Sequence, residues 1–144
     1  MLTESDRAIL DETYRSCRMG TDAIRAAVSK VTNEDLALEL NRQSYKYAVY
    51  GNKTVEKLEK EYEMPRKNLF GKVKVWMGIR MSTLKNTSNV HVVQLLIRGN
   101  TSAITGLMKT VKRNKDAKKE YCELAEELMD FEEKCIESLK AYLK

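Results

Sequence analysis

Apolar residues return along this chain at alternating intervals of three and four, the spacing that gathers them on one face of an α-helix. The first such stretch runs from about Ser5 to Val31, with Leu10, Tyr14, Cys17, Thr21, Ile24, Val28 and Val31 in its seam. Thr13, Gly20 and Ala27 flank that seam and are small enough to let a neighbouring helix approach closely. Thr32 and Asn33 supply capping oxygens, and Glu34 and Asp35 supply the acids favoured in a first turn, so the pattern stops and restarts there. A second helix then runs to about Tyr62 with Leu36, Leu40, Gln43, Tyr47, Tyr50 and Thr54 in its seam, drifting to Leu58. A second row, Ala48, Val55 and Tyr62, predicts cover on two sides of that helix. Pro65 ends it.

A shorter helical pattern follows from about Asn68 to Lys85, and Asn86 to Asn89 form another break with capping side chains. The fourth pattern spans about Val90 to Arg113 through Val93, Leu96, Asn100, Ala103 and Leu107. Asn114 is suited to the left-handed C-terminal conformation and Asp116 to capping the next helix. That last helix carries Leu124, Leu128, Phe131, Cys135, Leu139 and Tyr142 inward and reaches nearly to Lys144. Tight turns make helices one and two antiparallel neighbours, and likewise four and five. The middle helix, about 27 Å long at ~1.5 Å per residue, can cross from one end of a bundle to the other. The expected fold is all-α: a ferritin-like four-helix bundle of two antiparallel hairpins with a crossover helix.

Composition agrees. The 144 residues make one domain, 1–144, with 42% hydrophobic and 33% charged residues and a single proline. No apolar run approaches the roughly 20 residues of a membrane span, and the N-terminus lacks a signal-peptide layout, so a cytoplasmic chain without membrane insertion is expected. Cys17, Cys122 and Cys135 are scattered and form no C-x-x-C motif, as expected of reduced core thiols. The net charge of +5 is mild and demands no anionic partner.

The stretch FGKVKVWMGIRMSTLKNTSNVHVVQLLIRGNTSAITGLMK carries Trp-Met-Gly-Ile-x-Met at Trp76–Met81 and His-x-x-x-x-Leu-Ile-x-Gly-x-Thr at His91–Thr101. With DRAILDETYRSCRMGTDAI and the acidic last helix, it resembles a bacterial family of ferritin-like proteins with no assigned activity. The resemblance implies the fold and carries over no catalytic residues.

Bundles of this kind usually hold a di-metal site built from glutamates and two Glu-x-x-His motifs. This chain has one histidine, His91, and Ser88 stands three residues before it. Counting equal rises from the turns puts Thr21, Gln43 and Asn100 in one central polar layer, with Asp11, Glu39 and Glu132 beside the seams rather than on them. Neutral side chains in that layer predict a centre without metal or cofactor, and the nucleophiles lack a base, which points away from an enzyme. The crossover helix, through Val75, Trp76 and Ile79, is the expected partner surface, in a homodimer. Arg80, inside its apolar stripe, is expected to meet an acid or a helix-end carbonyl. Lys109, Lys112, Arg113, Lys115, Lys118 and Lys119 form a possible anion patch, but no aromatic platform is interleaved, and nucleic acid is not the expected partner. The functional expectation is a non-enzymatic binding or oligomerisation module. The alternatives are a metal-handling or redox protein with a degenerate or inter-subunit site, or an anion- or nucleic-acid-binding module using the turn at 109–119.

Overall fold

The computed structural model describes residues 1–66 and 88–143. The crossover pattern, with Val75, Trp76, Ile79 and Arg80, lies outside the described residues. Four helices are described: α1 (Glu4–Val28), α2 (Glu34–Lys60), α3 (Asn89–Arg113) and α4 (Lys119–Lys140).

Each start has its own chemistry. Thr3 and Asp6 form a capping box on α1, each side chain accepting from the other's backbone N–H at 3.0 Å. Asn33 caps α2 through the N–H of Leu36, and Ser88 caps α3 through that of His91. The start of α4 departs from expectation. Its N-cap is Lys118, which makes no side-chain cap bond, and Asp116 instead accepts from the Ser5 hydroxyl at 2.7 Å. The Lys118 N–H is taken by Asp6 of α1 at 2.8 Å. One carboxylate therefore serves two helix starts, a tertiary contact that local sequence does not encode. Asn114 keeps a negative φ of −127°, so α3 ends without a left-handed residue. Beyond α2 it is Tyr62, at φ 59°, that turns the chain out of helix.

These contacts set the topology. Asp6, at the start of α1, meets the start of α4; Arg7 reaches Glu63 and the Met64 carbonyl, just past the end of α2. At the other end, the Thr32 N–H donates to Asn89, so α3 starts beside the α1–α2 turn. Hence α2 finishes at one end of the bundle and α3 begins at the opposite end. The helices pack chiefly as the hairpins α1–α2 and α3–α4, with α1 also against α3 and, more loosely, both α1 and α2 against α4. The core between them is built by Leu10, Ile24, Leu36, Leu40, Leu58, Val92, Leu107, Leu128 and Leu139. The expected second covered row on α2 is not covered: Ala48 and Tyr62 are exposed and Val55 half-buried.

Candidate functional site at the bundle centre

Midway along the bundle the apolar core gives way to a polar unit shared by three helices. Tyr47 of α2, 2% exposed, places its hydroxyl 2.6 Å from Glu132 Oε2 on α4 and 3.0 Å from Asn100 Oδ1 on α3. The edge of the Tyr47 ring meets Phe131, centroids 5.0 Å apart, and Phe131 also touches Tyr50. Helix α1 contributes space. A Cβ added at Gly20 would fall on the Tyr47 ring, so glycine here is what admits a tyrosine pointing across the bundle.

A cavity of about 30 Å³ adjoins this unit, lined among others by Ser16, Gly20, Gln43, Tyr47, Asn100 and Glu132. The Asn100 amide nitrogen, also in its wall, is buried without a hydrogen-bond partner. Gln43 turns its amide the other way and donates to Glu39 at 2.8 Å.

Glu132 is the central charge question. It is 1% exposed, and among the described residues no cation lies against it. Burial pushes its carboxyl up to about 8, and the Tyr47 hydrogen bond only partly opposes this. The proton count agrees. Tyr47 has one hydroxyl proton and two oxygen neighbours; a protonated Glu132 donates to Tyr47, which can then donate to Asn100. Burial, with Glu132 next, also raises Tyr47 well above its ordinary value. Cys17 and Cys135 are raised in the same way, by burial first and Glu132 second, which keeps both thiols protonated.

Of the residues the sequence places in the central layer, Gln43 and Asn100 line this cavity and Thr21 does not. Thr21 is half-buried and bonds back to the Cys17 carbonyl at 2.9 Å, while its neighbour Gly20 faces Tyr47. Glu132 was expected beside the seam and lies inside it. The helix uses Leu128, Glu132, Cys135 and Leu139 as its inner row, with Phe131 at the edge. That row keeps an i, i+4, i+7, i+11 spacing, a signal available in the sequence but masked by the greater hydrophobicity of Phe131. The basic turn is exposed at Lys109, Lys112, Arg113 and Lys115, whereas Lys118 pairs with Glu120 at 3.1 Å and Lys119 with Glu123 at 3.8 Å. His91 lies in the first turn of α3, its Nδ1 2.7 Å from the Ser88 hydroxyl.

A di-metal centre does not fit these residues. The middle offers one carboxyl, already bonded to Tyr47, together with two amides and two protonated thiols. Among the described residues no group of three or more His, Cys, Asp or Glu is placed to hold a metal ion. No helix among them is long and apolar enough to cross a membrane.

No protein-family model matches the chain, and no curated protein matches it in sequence. Two solved structures are similar in fold. The bacterioferritin-related protein from Bacteroides fragilis, a dodecameric thioferritin, superposes with a TM-score of 0.76 at 12% identity, over 98% of this chain and 86% of that one. YcfI from Rhodopseudomonas palustris superposes with a TM-score of 0.62 at 11% identity, over 96% and 94%. At such identities the likeness establishes architecture: the chain is an all-α, ferritin-like four-helix bundle.

Proposed function

We propose that this chain is a non-enzymatic bundle that works by binding and self-assembly, its centre given to a Glu–Tyr–Asn hydrogen-bonded unit rather than a di-metal site. The observation that supports this is the donor set around Glu132. Such centres need several carboxylates, usually with imidazoles, facing one another. Here the other central positions hold Gly20, Tyr47 and Asn100, and the chain's one histidine sits in the first turn of α3. The unit fills the middle of the bundle and fixes the register of three helices. Assembly is supported by the fold, since one similar structure is a dodecamer. The helices also keep exposed apolar side chains, Leu38, Tyr45 and Met108 among them.

The test has two arms. Protein purified without added metal and then titrated with Fe²⁺ and Zn²⁺ is expected to take up no stoichiometric ion, with an unchanged melting temperature. Uptake that disappears in Glu132→Gln overturns the metal-free reading. Light scattering of the full chain is expected to give a multiple of the 16.6 kDa chain mass.

A further inference from the structure

One row along the outer side of α2 carries no charged residue from position 38 to position 55, in a chain whose residues are 33% charged. Opposite the buried row Leu36, Leu40, Gln43, Tyr47, Thr54 and Leu58 run Leu38, Asn41, Tyr45, Ala48, Asn52 and Val55. Leu38 and Tyr45 are 68% and 69% exposed. The intervals are three and four throughout, which is a coiled-coil seam about 26 Å long at ~1.5 Å per residue, on the side of α2 away from its own bundle.

That seam is complementary to itself. Turned about a two-fold axis at its midpoint, it sets Leu38 against Val55, Asn41 against Asn52 and Tyr45 against Ala48: apolar with apolar, amide with amide, large with small. The flanks agree. On one side Ala37 and Ser44 are small enough for close approach. On the other, helical side chains lean toward their own N-termini, so Arg42 of one copy and Glu56 of the other converge, twice per pair. Arg42 has partnered Glu39 through three hydrogen bonds of 2.7, 2.8 and 3.2 Å from Nη2 and Nε, which leaves Nη1 of its exposed guanidinium open to a second carboxylate. Beyond the seam, Glu34 and Glu59 come opposite one another and bound the paired stretch with like charges.

We propose that α2 packs antiparallel against α2 of a second copy of this chain in the register Leu38–Val55, Asn41–Asn52 and Tyr45–Ala48. The inference rests on the reading of the chain as an assembling bundle and names the face that assembles.

Light scattering and sedimentation of the full chain test it. Tyr45→Glu is expected to lower the particle mass at least twofold with the helical circular dichroism unchanged. Leu38→Glu and Val55→Lys are each expected to weaken association at least tenfold, and the double variant to recover most of the loss. With Cys122 replaced by Ser, Asn41→Cys/Asn52→Cys is expected to cross-link into covalent dimers under mild oxidation, and either cysteine alone far less. An assembled wild type whose mass ignores Tyr45→Glu overturns the α2 interface and leaves assembly standing. Cross-linking by either single cysteine as well as by the pair overturns the register. A monomeric wild type at high concentration overturns both this proposal and the assembly reading, whereas metal uptake overturns only the reading of the centre.

Discussion

Two of the acids buried in this bundle are kept there by opposite means. Asp11, near the end of the bundle, lies against cations: Arg7 donates to it at 3.2 Å, and Arg66 lies 3.6 Å away. Glu132, at the centre, has a tyrosine hydroxyl, an amide and two thiols around it and, among the described residues, no cation. Burial is the largest influence on both and pushes both upward; Arg7 and Arg66 pull Asp11 back, while Glu132 has only Tyr47 to do so. At the end of the bundle the chain beyond α2 comes within reach of Arg7 and Asp11, through Glu63, Met64 and Arg66. Among the described residues no such segment reaches the centre, and there the cheaper answer to a buried carboxyl is a proton.

The comparison breaks most directly at Arg7. This side chain is 6% exposed; it pairs with Asp11 within α1 and ties that helix to Glu63 and the Met64 carbonyl. Removing one partner of a buried pair costs roughly 3–5 kcal/mol because the other charge is left behind. Arg7→Met is expected to lose about that much in urea unfolding, and Arg7→Met/Asp11→Leu to recover most of it. A single-variant loss below about 1 kcal/mol would mean that Asp11 is served by water or protonation, and the contrast with Glu132 would fail.

The next effect is on pH. Glu132 has its carboxyl raised to about 8 from an ordinary value of 4.5. Between those values the folded state holds a proton that the unfolded state has released, so stability falls as pH rises through the window. The contribution is full below about 4.5, declines by roughly 1.4 kcal/mol per pH unit, and levels off above about 8. Glu132→Gln keeps an amide that can donate to Tyr47 and removes the titration. Subtracting its stability profile from that of the wild type, between pH 5 and 8, is expected to isolate this slope. A flat difference would place a charge at the bundle centre at neutral pH.

Much of this architecture was written in the chain. The starts at Asn33 and Ser88 follow from side chains that bond N–H groups three residues on, and such local chemistry is legible. The topology follows from turn lengths. The central site was legible only in part, because its members are chosen by height and rotation between helices. Counting rises put Gln43 level with Asn100; the hydrogen bond to Asn100 comes from Tyr47, one turn further along α2. The count selected Thr21, and the structure uses Gly20, whose missing Cβ is informative only once the tyrosine ring is seen beside it. Glu132 was hidden because a glutamate reads as surface until something supplies it a partner or a proton. Asp6, holding a helix start more than a hundred residues away, leaves no local signature.

Gly20→Ala sharpens the comparison from the tyrosine side. The added methyl meets the Tyr47 ring, and the ring cannot retreat without lengthening its bonds to Glu132 and Asn100. A loss of roughly 1–3 kcal/mol is expected, typical of overpacking. It should come with a carboxyl raised further still, because the Tyr47 hydrogen bond is what lowers it. Tyr47→Leu in the same background is expected to relieve the clash. A Gly20→Ala chain as stable as wild type, with an unchanged pH profile, would show that the unit tolerates displacement and does not set helix register.

The smallest effect concerns a third solution, in which backbone N–H groups come ahead of any cation and no proton is needed. Asp6 is buried at the bundle end, 7% exposed, and is held by backbone donors from Thr3 and Lys118. Burial raises its carboxyl, but the Lys118 and Thr3 N–H groups outweigh it and the net shift is downward. The linkage therefore has the opposite sign from that of Glu132: the stabilisation is present above the ordinary aspartate value of 3.8 and is lost as pH falls through the lowered folded value. Asp6→Ala removes a cap from α1 and the acceptor at the start of α4, and a loss of about 1–2 kcal/mol at neutral pH is expected. Asp6→Asn keeps an acceptor oxygen and is expected to lose less. The Asp6→Ala loss should shrink as pH falls through that lowered folded value, where the wild-type carboxylate is itself protonated. A loss that instead grew on acidification would mean that Asp6 is carried as a neutral acid like Glu132, and that the end and the centre of the bundle differ less than their partners indicate.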